Sequence, residues 1–138
     1  MPHAAPVLIA DVPELESVLR DCFPADDVVY VSTLADSTMA LGSREYRLII
    51  VGLHFDHYSM FELVRYVRTL PRFKRVPIYC IRALPARLTD AARSGIEHAV
   101  RLLGAQAFID VKPGPLAAEQ MCKRLTEMLP VQGMTDGR

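Results

Sequence analysis

Five short apolar runs recur along the chain, and each has the length of a β-strand. They cover Val7–Ala10, Val28–Ser32, Leu48–Gly52, Val76–Ile81 and Ala107–Val111. Within each run the apolar residues are nearly continuous instead of alternating with polar ones, which is typical of strands covered on both faces. The pattern therefore predicts a parallel sheet with helices on both sides.

The segments between these runs carry apolar residues at helical spacing. These residues are Leu15, Val18, Leu19, Cys22 and Phe23; then Phe61, Val64, Tyr66 and Val67; then Ile96, Ala99, Val100 and Leu103 within 86–103; and finally Leu116, Met121, Leu125 and either Met128 or Leu129 within 116–129. Gly104 follows the third of these segments and predicts its end. The regular alternation of strand and helix predicts a doubly wound α/β fold with right-handed crossovers.

Length and composition favour one globular domain, which we place at residues 1–130, with a flexible tail at 131–138. The chain has 138 residues, of which 51% are hydrophobic and 23% charged. No apolar run approaches the roughly 20 residues that span a bilayer, and residues 1–6 do not resemble a secretory signal, so we expect a soluble, cytoplasmic protein. The formal net charge of zero argues against direct binding of nucleic acid.

The sequence holds three cysteines, Cys22, Cys80 and Cys122. They are widely spaced, contain no CxxC pair and are odd in number, which fits neither a disulfide framework nor a zinc site. We therefore expect reduced thiols. Cys80 lies inside an apolar run and is predicted to be a small, inert core side chain.

The carboxyl ends of the predicted strands are the expected place for chemistry in such a sheet. The residues there are Asp11, Gly52 with Leu53, Arg82, and Lys112 with Pro113. The turn after the first strand matches neither the GxGxxG fingerprint nor the P-loop, so nucleotide and flavin binding have no support and we expect no cofactor.

Several segments resemble the receiver domain of response regulators, the CheY-like superfamily, over about Val7 to Leu129. Arg47 to Gly52 and Met60 to Arg68 resemble its third strand and third helix, and Leu70 to Ile78 resembles the approach to its fourth strand. Gly104-Ala105 resembles its Gly-Ala turn, and Lys112-Pro113 the Lys-Pro after its fifth strand. The resemblance implies a flavodoxin-like (βα)5 fold with strand order 2-1-3-4-5 and a role in bacterial two-component signal transduction.

The chain departs from that family at the residues that carry its chemistry. Gly52 stands where the family has its phosphate-accepting aspartate, and Val12 replaces the second acid of its magnesium-binding pair. Arg82 replaces the family's switch serine or threonine, while Asp11 and Lys112 remain. The resemblance thus implies a degenerate phosphorylation pocket of Asp11, Val12, Gly52, Arg82 and Lys112, without catalytic residues or a metal.

Two residue groups allow more than one interpretation. Asp11 either caps the first helix ahead of Pro13 or forms an ion-pair network with Arg82 and Lys112. His54, Asp56 and His57 form either a metal site or, as we favour, a solvated polar loop.

We therefore expect a receiver-like signalling module that is not an enzyme and acts through protein contacts. Its partner would be a signalling kinase, an output protein or a second copy of the chain in a homodimer, with no direct contact to nucleic acid or membrane. Because the chain ends soon after the last helix, we expect its output to pass through that partner. The resemblance implies contact through the fourth helix, fifth strand and fifth helix. The alternative is a flavodoxin-like protein, or an enzyme, that binds a small molecule or metal among Asp11, Arg82, His54 and Lys112.

Overall fold

The computed structural model describes residues 5–25, 27–83, 88–111 and 115–128, and within them the chain forms five strands and five α-helices. The strands are β1 (Val7–Ala10), β2 (Val28–Val31), β3 (Leu48–Gly52), β4 (Ile78–Arg82) and β5 (Ala107–Asp110). The helices are α1 (Glu16–Asp21), α2 (Leu34–Ser43), α3 (Met60–Thr69), α4 (Asp90–Leu102) and α5 (Ala117–Met128), and short 3-10 turns occupy Pro13–Leu15 and Pro71–Phe73. The predicted tail, 131–138, lies outside the described residues.

All five strands run parallel in the order β2-β1-β3-β4-β5, which confirms the predicted flavodoxin-like fold. The centre of the sheet pairs β1 with β3, and Ala10 lies beside Val51. Asp11 therefore leaves the sheet next to Gly52, at the point where successive connections turn to opposite faces.

Each face of the sheet carries its own apolar core, which explains the nearly continuous apolar strands. Along β3, Ile49 and Val51 join the core beneath α2, α3 and α4, whereas Leu48 and Ile50 join the core beneath α1 and α5. Every residue of β3 is buried. Successive side chains of a strand point to opposite faces, so a strand with helices on both sides must be apolar throughout.

Two helix predictions require correction. The helix predicted to begin near residue 86 begins at Asp90, because the Thr89 side chain accepts a hydrogen bond from Ala92 N and caps it there; residues 84–87 lie outside the described part. Leu116, predicted to point inward, precedes the first turn of α5 and is 56% exposed. Met121 and Leu125 are buried as predicted.

The prediction of three reduced thiols is wrong, because Cys22 and Cys122 form a disulfide across a sequence separation of 100 residues. Their helices pack side by side on one face of the sheet, a proximity that cysteine spacing does not reveal. Cys80 is a free, fully buried thiol, as expected. Burial raises its pKa to about 12.

Within the described residues, no helix combines the length and the apolar character that crossing a membrane requires.

Candidate functional site

The carboxyl edge of the sheet brings four of the chemically important residues together in strand order. Asp11 follows β1, Gly52 ends β3, Arg82 ends β4 and Asp110 ends β5. Lys112, the remaining polar residue of the predicted pocket, lies outside the described residues.

The side chain of Asp11 occupies the space beside Gly52 where a side chain of residue 52 would begin. A Cβ atom added to Gly52 would lie 2.1 Å from both Cγ and Oδ2 of Asp11 and 2.2 Å from its Oδ1. Asp11 is only 1% exposed. The absence of a side chain at position 52 and the burial of the Asp11 carboxyl group are therefore two aspects of one packing arrangement.

The Asp11 carboxyl group has little compensation for its burial. Its Oδ1 accepts a hydrogen bond from Val12 N at 2.8 Å, whereas its Oδ2 has no partner among the described residues. The Pro13–Leu15 turn and α1 receive no side-chain capping bond, so the helix-cap interpretation of Asp11 is wrong. A buried polar atom without a partner typically costs about 1–3 kcal/mol.

Burial raises the pKa of Asp11 to about 7, against the opposing effect of the Val12 N–H group and with a smaller contribution from the negative charge of Glu14. The Tyr30 hydroxyl donates to the Val12 carbonyl oxygen at 2.5 Å, and the pKa of Tyr30 is raised by its own burial and by the charge of Asp11. Near neutral pH, Asp11 is therefore divided between its acid and carboxylate forms.

Arg82 pairs with Asp110, and the expected pairing with Asp11 is wrong. Arg82 is 5% exposed, and its Nε donates to Asp110 Oδ1 at 2.5 Å. The parallel register places these residues directly beside each other on β4 and β5, whereas β3 lies between β4 and the strand that precedes Asp11. The nearer carboxylate is therefore the one that Arg82 meets.

Asp110 also attracts a cation from α4. The Nε of Arg93 lies 3.8 Å from Asp110 Oδ2, and a terminal nitrogen of Arg93 bonds the Asp90 carboxylate at 3.1 Å. The ion pairs of Asp110 thus link the ends of β4 and β5 to the first turn of α4.

The loop after β3 places Asp56 at the beginning of α2. Its Oδ2 accepts a hydrogen bond from Leu34 N at 2.7 Å, next to the Thr33 side chain that caps the same helix. Asp56, His57 and Tyr58 have φ angles of 41°, 57° and 65°, which is left-handed backbone. Asp56 therefore acts as a helix cap in a tightly turned loop, a role that the sequence did not indicate.

A cavity of about 380 Å³ opens between the loops that follow β1, β2 and β3. Its lining residues are Val12, Pro13, Ser32, Thr33, His54, Asp56, His57 and Tyr58. Of the residues in the small-molecule hypothesis, His54 lines this cavity, but Asp11 and Arg82 do not. Burial and the charge of Arg82 lower the pKa of His54.

Sequence reasoning missed Asp110 and Tyr30 as parts of this site. Asp110 lies beside Arg82 because of the register of β4 and β5, and the apolar runs Val76–Ile81 and Ala107–Val111 do not fix that register. The hydroxyl of Tyr30 reaches the Val12 carbonyl from β2, and its contact depends on backbone geometry that no sequence pattern encodes.

No protein-family model matches this sequence, and no curated protein matches it. Solved structures do. The chemotaxis response regulator CheY4 of Vibrio cholerae superimposes with a TM-score of 0.66 at 17% identity, covering 93% of this chain and 100% of that chain. A response regulator from Thermotoga maritima gives 0.66 at 14% identity, covering 90% and 96%.

The receiver domain of a sensor histidine kinase from Pseudomonas aeruginosa has a TM-score of 0.61 at 16% identity, covering 88% of this chain and 96% of that chain. These structural neighbours are CheY-like receiver domains, and at such identities the likeness shows a shared fold.

The Pseudomonas receiver carries a magnesium ion coordinated in its active-site cleft, and the residues of this chain do not fit such an ion. Mg²⁺ requires nearly octahedral oxygen coordination. Here Asp11 is buried and accompanied by Val12 and Gly52, whose side chains offer no oxygen. Among the described residues, no group of three His, Cys, Asp or Glu side chains is arranged to hold a metal.

The raised pKa of Asp11 predicts a pH-dependent stability that Asp11→Asn should remove. The folded protein binds the proton more tightly than the unfolded chain, so this effect is fully favourable below the ordinary pKa of 3.8 and is lost as the pH rises to about 7. The difference between the folded and unfolded pKa values of Asp11 corresponds to a loss of about 4 kcal/mol in the free energy of unfolding between low and high pH. Denaturant titrations should show Asp11→Asn to be more stable than the wild type at pH 8, by up to that amount, with the gap closing toward pH 4.

The exposed residue Asp21 provides the control, since Asp21→Asn should keep the wild-type pH profile. An Asp11→Asn variant that retains this profile would contradict the assignment of the titration to Asp11.

The contact between Asp11 and Gly52 predicts strong coupling in a double-mutant cycle. Gly52→Ala alone forces the Asp11 carboxyl group out of its place and should destabilise the protein by about 1–3 kcal/mol. In the Asp11→Ala background the new methyl group has space, so this loss should largely disappear, with a coupling energy of at least about 1 kcal/mol. Urea unfolding of the four proteins measures the cycle.

Gly42→Ala is the matched control, because a Cβ atom at this helical position meets no atom within 4 Å. Its effect should be the same in both backgrounds. Additive effects of Gly52→Ala and Asp11→Ala would show that the two residues do not compete for one space.

Proposed function

We propose that this chain is a receiver-like signalling module that acts by binding another protein and is not phosphorylated at the end of β3. The observation that carries the proposal is the glycine at position 52, whose missing side chain is replaced in space by the carboxyl group of Asp11. The receiver fold of its structural neighbours supports signalling as the general role.

The chemistry of the site supports the absence of phosphotransfer. Gly52 has no oxygen that could attack a phosphoryl donor, and Asp11 is too deeply buried to replace it. The Asp56 carboxylate already accepts a hydrogen bond from the Leu34 amide. A phosphoryl group on Asp56 would displace that helix cap.

The ion pairs of Asp110 support a conformation set without phosphorylation. Arg82 stands where the resemblance places a short hydroxyl, and its buried guanidinium group binds the strand beside it. Removing one partner from a buried ion pair commonly costs about 3–5 kcal/mol. A pair of this kind favours one arrangement of β4, β5 and α4.

We place the partner contact on the surface formed by α4, β5 and α5, with a signalling kinase, an output protein or a second copy of the chain as the partner. Leu102 on α4 is 74% exposed and offers a partner a large apolar side chain on this surface. The non-enzymatic role and the place in bacterial two-component signalling in the cytoplasm belong to the same proposal.

The small-molecule alternative has weaker support. Among the described residues of that hypothesis, Asp11 is buried against Gly52 and Arg82 pairs with Asp110, and neither lines the cavity that His54 lines. A ligand site needs convergent polar groups.

Incubation with acetyl phosphate and Mg²⁺, or with beryllofluoride and Mg²⁺, should leave the protein unmodified. Gly52→Asp should also resist, because the new side chain meets the Asp11 carboxyl group and Val12 still supplies no metal ligand. Intact-mass spectrometry detects the added phosphoryl group, with a conventional receiver domain in the same tube as the positive control. A stable phosphoryl adduct on the wild type, or rapid Mg²⁺-dependent labelling of Gly52→Asp, would overturn this part of the proposal.

Partner capture from the native cell should depend on the α4 side of the molecule. Leu102→Arg should lose the captured protein, whereas Met39→Arg, on α2 and equally exposed at 73%, should keep it. Quantitative mass spectrometry of the captured material compares the two variants with the wild type. Loss with Met39→Arg and retention with Leu102→Arg would move the contact away from the proposed surface.

A further inference from the structure

Two cysteines from opposite ends of the sequence meet between α1 and α5. Cys22 follows the last residue of α1, and Cys122 lies in the second turn of α5. Their Cα atoms are 4.8 Å apart, within the range that a disulfide bridges without backbone movement. Both side chains belong to the core on that face of the sheet.

Among the described residues, α5 is held to the rest of the domain by apolar contacts. Met121 and Leu125 are its buried side chains, and Ala117 and Cys122 are partly buried. Within the described residues, no side chain of α5 makes an ion pair or hydrogen bond with another element, whereas Arg93 of α4 reaches Asp110. The disulfide therefore adds a covalent link to the apolar contacts that hold the described part of α5.

We propose that Cys22 and Cys122 form a reversible thiol–disulfide site, closed by a small-molecule disulfide such as oxidised glutathione and opened by excess thiol, whose state sets how firmly α5 is held against α1. This inference does not depend on the proposed signalling function.

The order of the closing reaction follows from the burial of the two residues. Cys122 is partly exposed and Cys22 is buried, so Cys122 is the thiol that meets the oxidant first. Its thiolate attacks one sulfur of oxidised glutathione, and the glutathione S–S bond breaks to release one glutathione thiolate. The Cys22 thiolate then attacks the Cys122 sulfur and releases the second glutathione thiolate. The two cysteine thiols thereby give two protons and two electrons to one molecule of oxidised glutathione, which becomes two molecules of reduced glutathione.

The third cysteine provides an internal control. Cys80 is fully buried, and its side chain packs into the core on the opposite face of the sheet. Burial that raises its pKa to about 12 also keeps it from forming the reactive thiolate. Cys80→Ala should therefore leave the redox behaviour of the other pair unchanged.

The test uses the purified full chain equilibrated with excess oxidised or excess reduced glutathione, followed by acid quenching, alkylation and intact-mass spectrometry. Under unfolding conditions, the wild type and Cys80→Ala should each have two fewer alkylated cysteines after oxidation than after reduction. Cys22→Ser and Cys122→Ser should form no intramolecular disulfide. Opening a loop of this length should lower the unfolding temperature of the wild type on the order of 10 °C.

Hydrogen exchange then tests the effect on the helix. Amides of α5 should exchange roughly tenfold faster, or more, in the reduced wild type, while those of α2 should exchange equally in both states. Cys22→Ser should exchange in α5 at the fast rate in both buffers.

Three results would overturn the proposal. The site does not exist if both cysteines remain alkylated after treatment with oxidised glutathione. The bond is a permanent crosslink if excess reduced glutathione leaves it closed. Control of α5 is excluded if its amide exchange is the same in both states.

Discussion

The packing of the Asp11 carboxyl group against Gly52 is the constraint on which the carboxyl edge of this sheet depends. The two residues lie side by side at the ends of adjacent strands, and the space between them has room for a side chain from only one of them. Here the Asp11 side chain, which follows β1, fills this space, and Gly52 at the end of β3 contributes no side chain. The end of β3 therefore offers no side-chain oxygen, and the acid that follows β1 is buried.

A second interaction governs the other half of the edge. The guanidinium group of Arg82 is buried, and the carboxylate beside it in the sheet compensates its charge. Arg93 of α4 also pairs with the Asp110 carboxylate. At 3.8 Å, and with 43% of the Arg93 side chain exposed, this ion pair is weaker than the one between Arg82 and Asp110. The end of β4 is therefore held by an ion pair within the sheet, whereas the buried Asp11 carboxyl group has only the hydrogen bond from Val12 N among the described residues.

The sequence predicted the fold well because burial on both faces leaves a direct trace in composition. The bounds of β1 and β3 agree with the apolar runs Val7–Ala10 and Leu48–Gly52, since the middle of the sheet tolerates no polar side chain. The site was predicted less well. The positions of Asp11, Gly52 and Arg82 at strand ends followed from the alternation of elements, but their partners depend on strand register and on which side chain fills a shared space. The Cys22–Cys122 bond depends on the contact of two distant helices, which spacing alone does not encode.

The Arg82–Asp110 ion pair, the buried Asp11 carboxyl group and the Cys22–Cys122 disulfide differ in the chemical conditions that can change them. The Arg82–Asp110 pair is buried and joins two residues that lie side by side on β4 and β5, so solvent conditions affect it little. The Asp11 carboxyl group, with a pKa of about 7, changes its charge under mild conditions, but it is packed against backbone at the centre of the sheet. The disulfide joins α1 to α5, and in our proposal excess thiol opens it. Of the three arrangements, the disulfide is the one whose opening removes a covalent link between two helices and leaves the strand ends unchanged, so we expect α5 to be the element that responds.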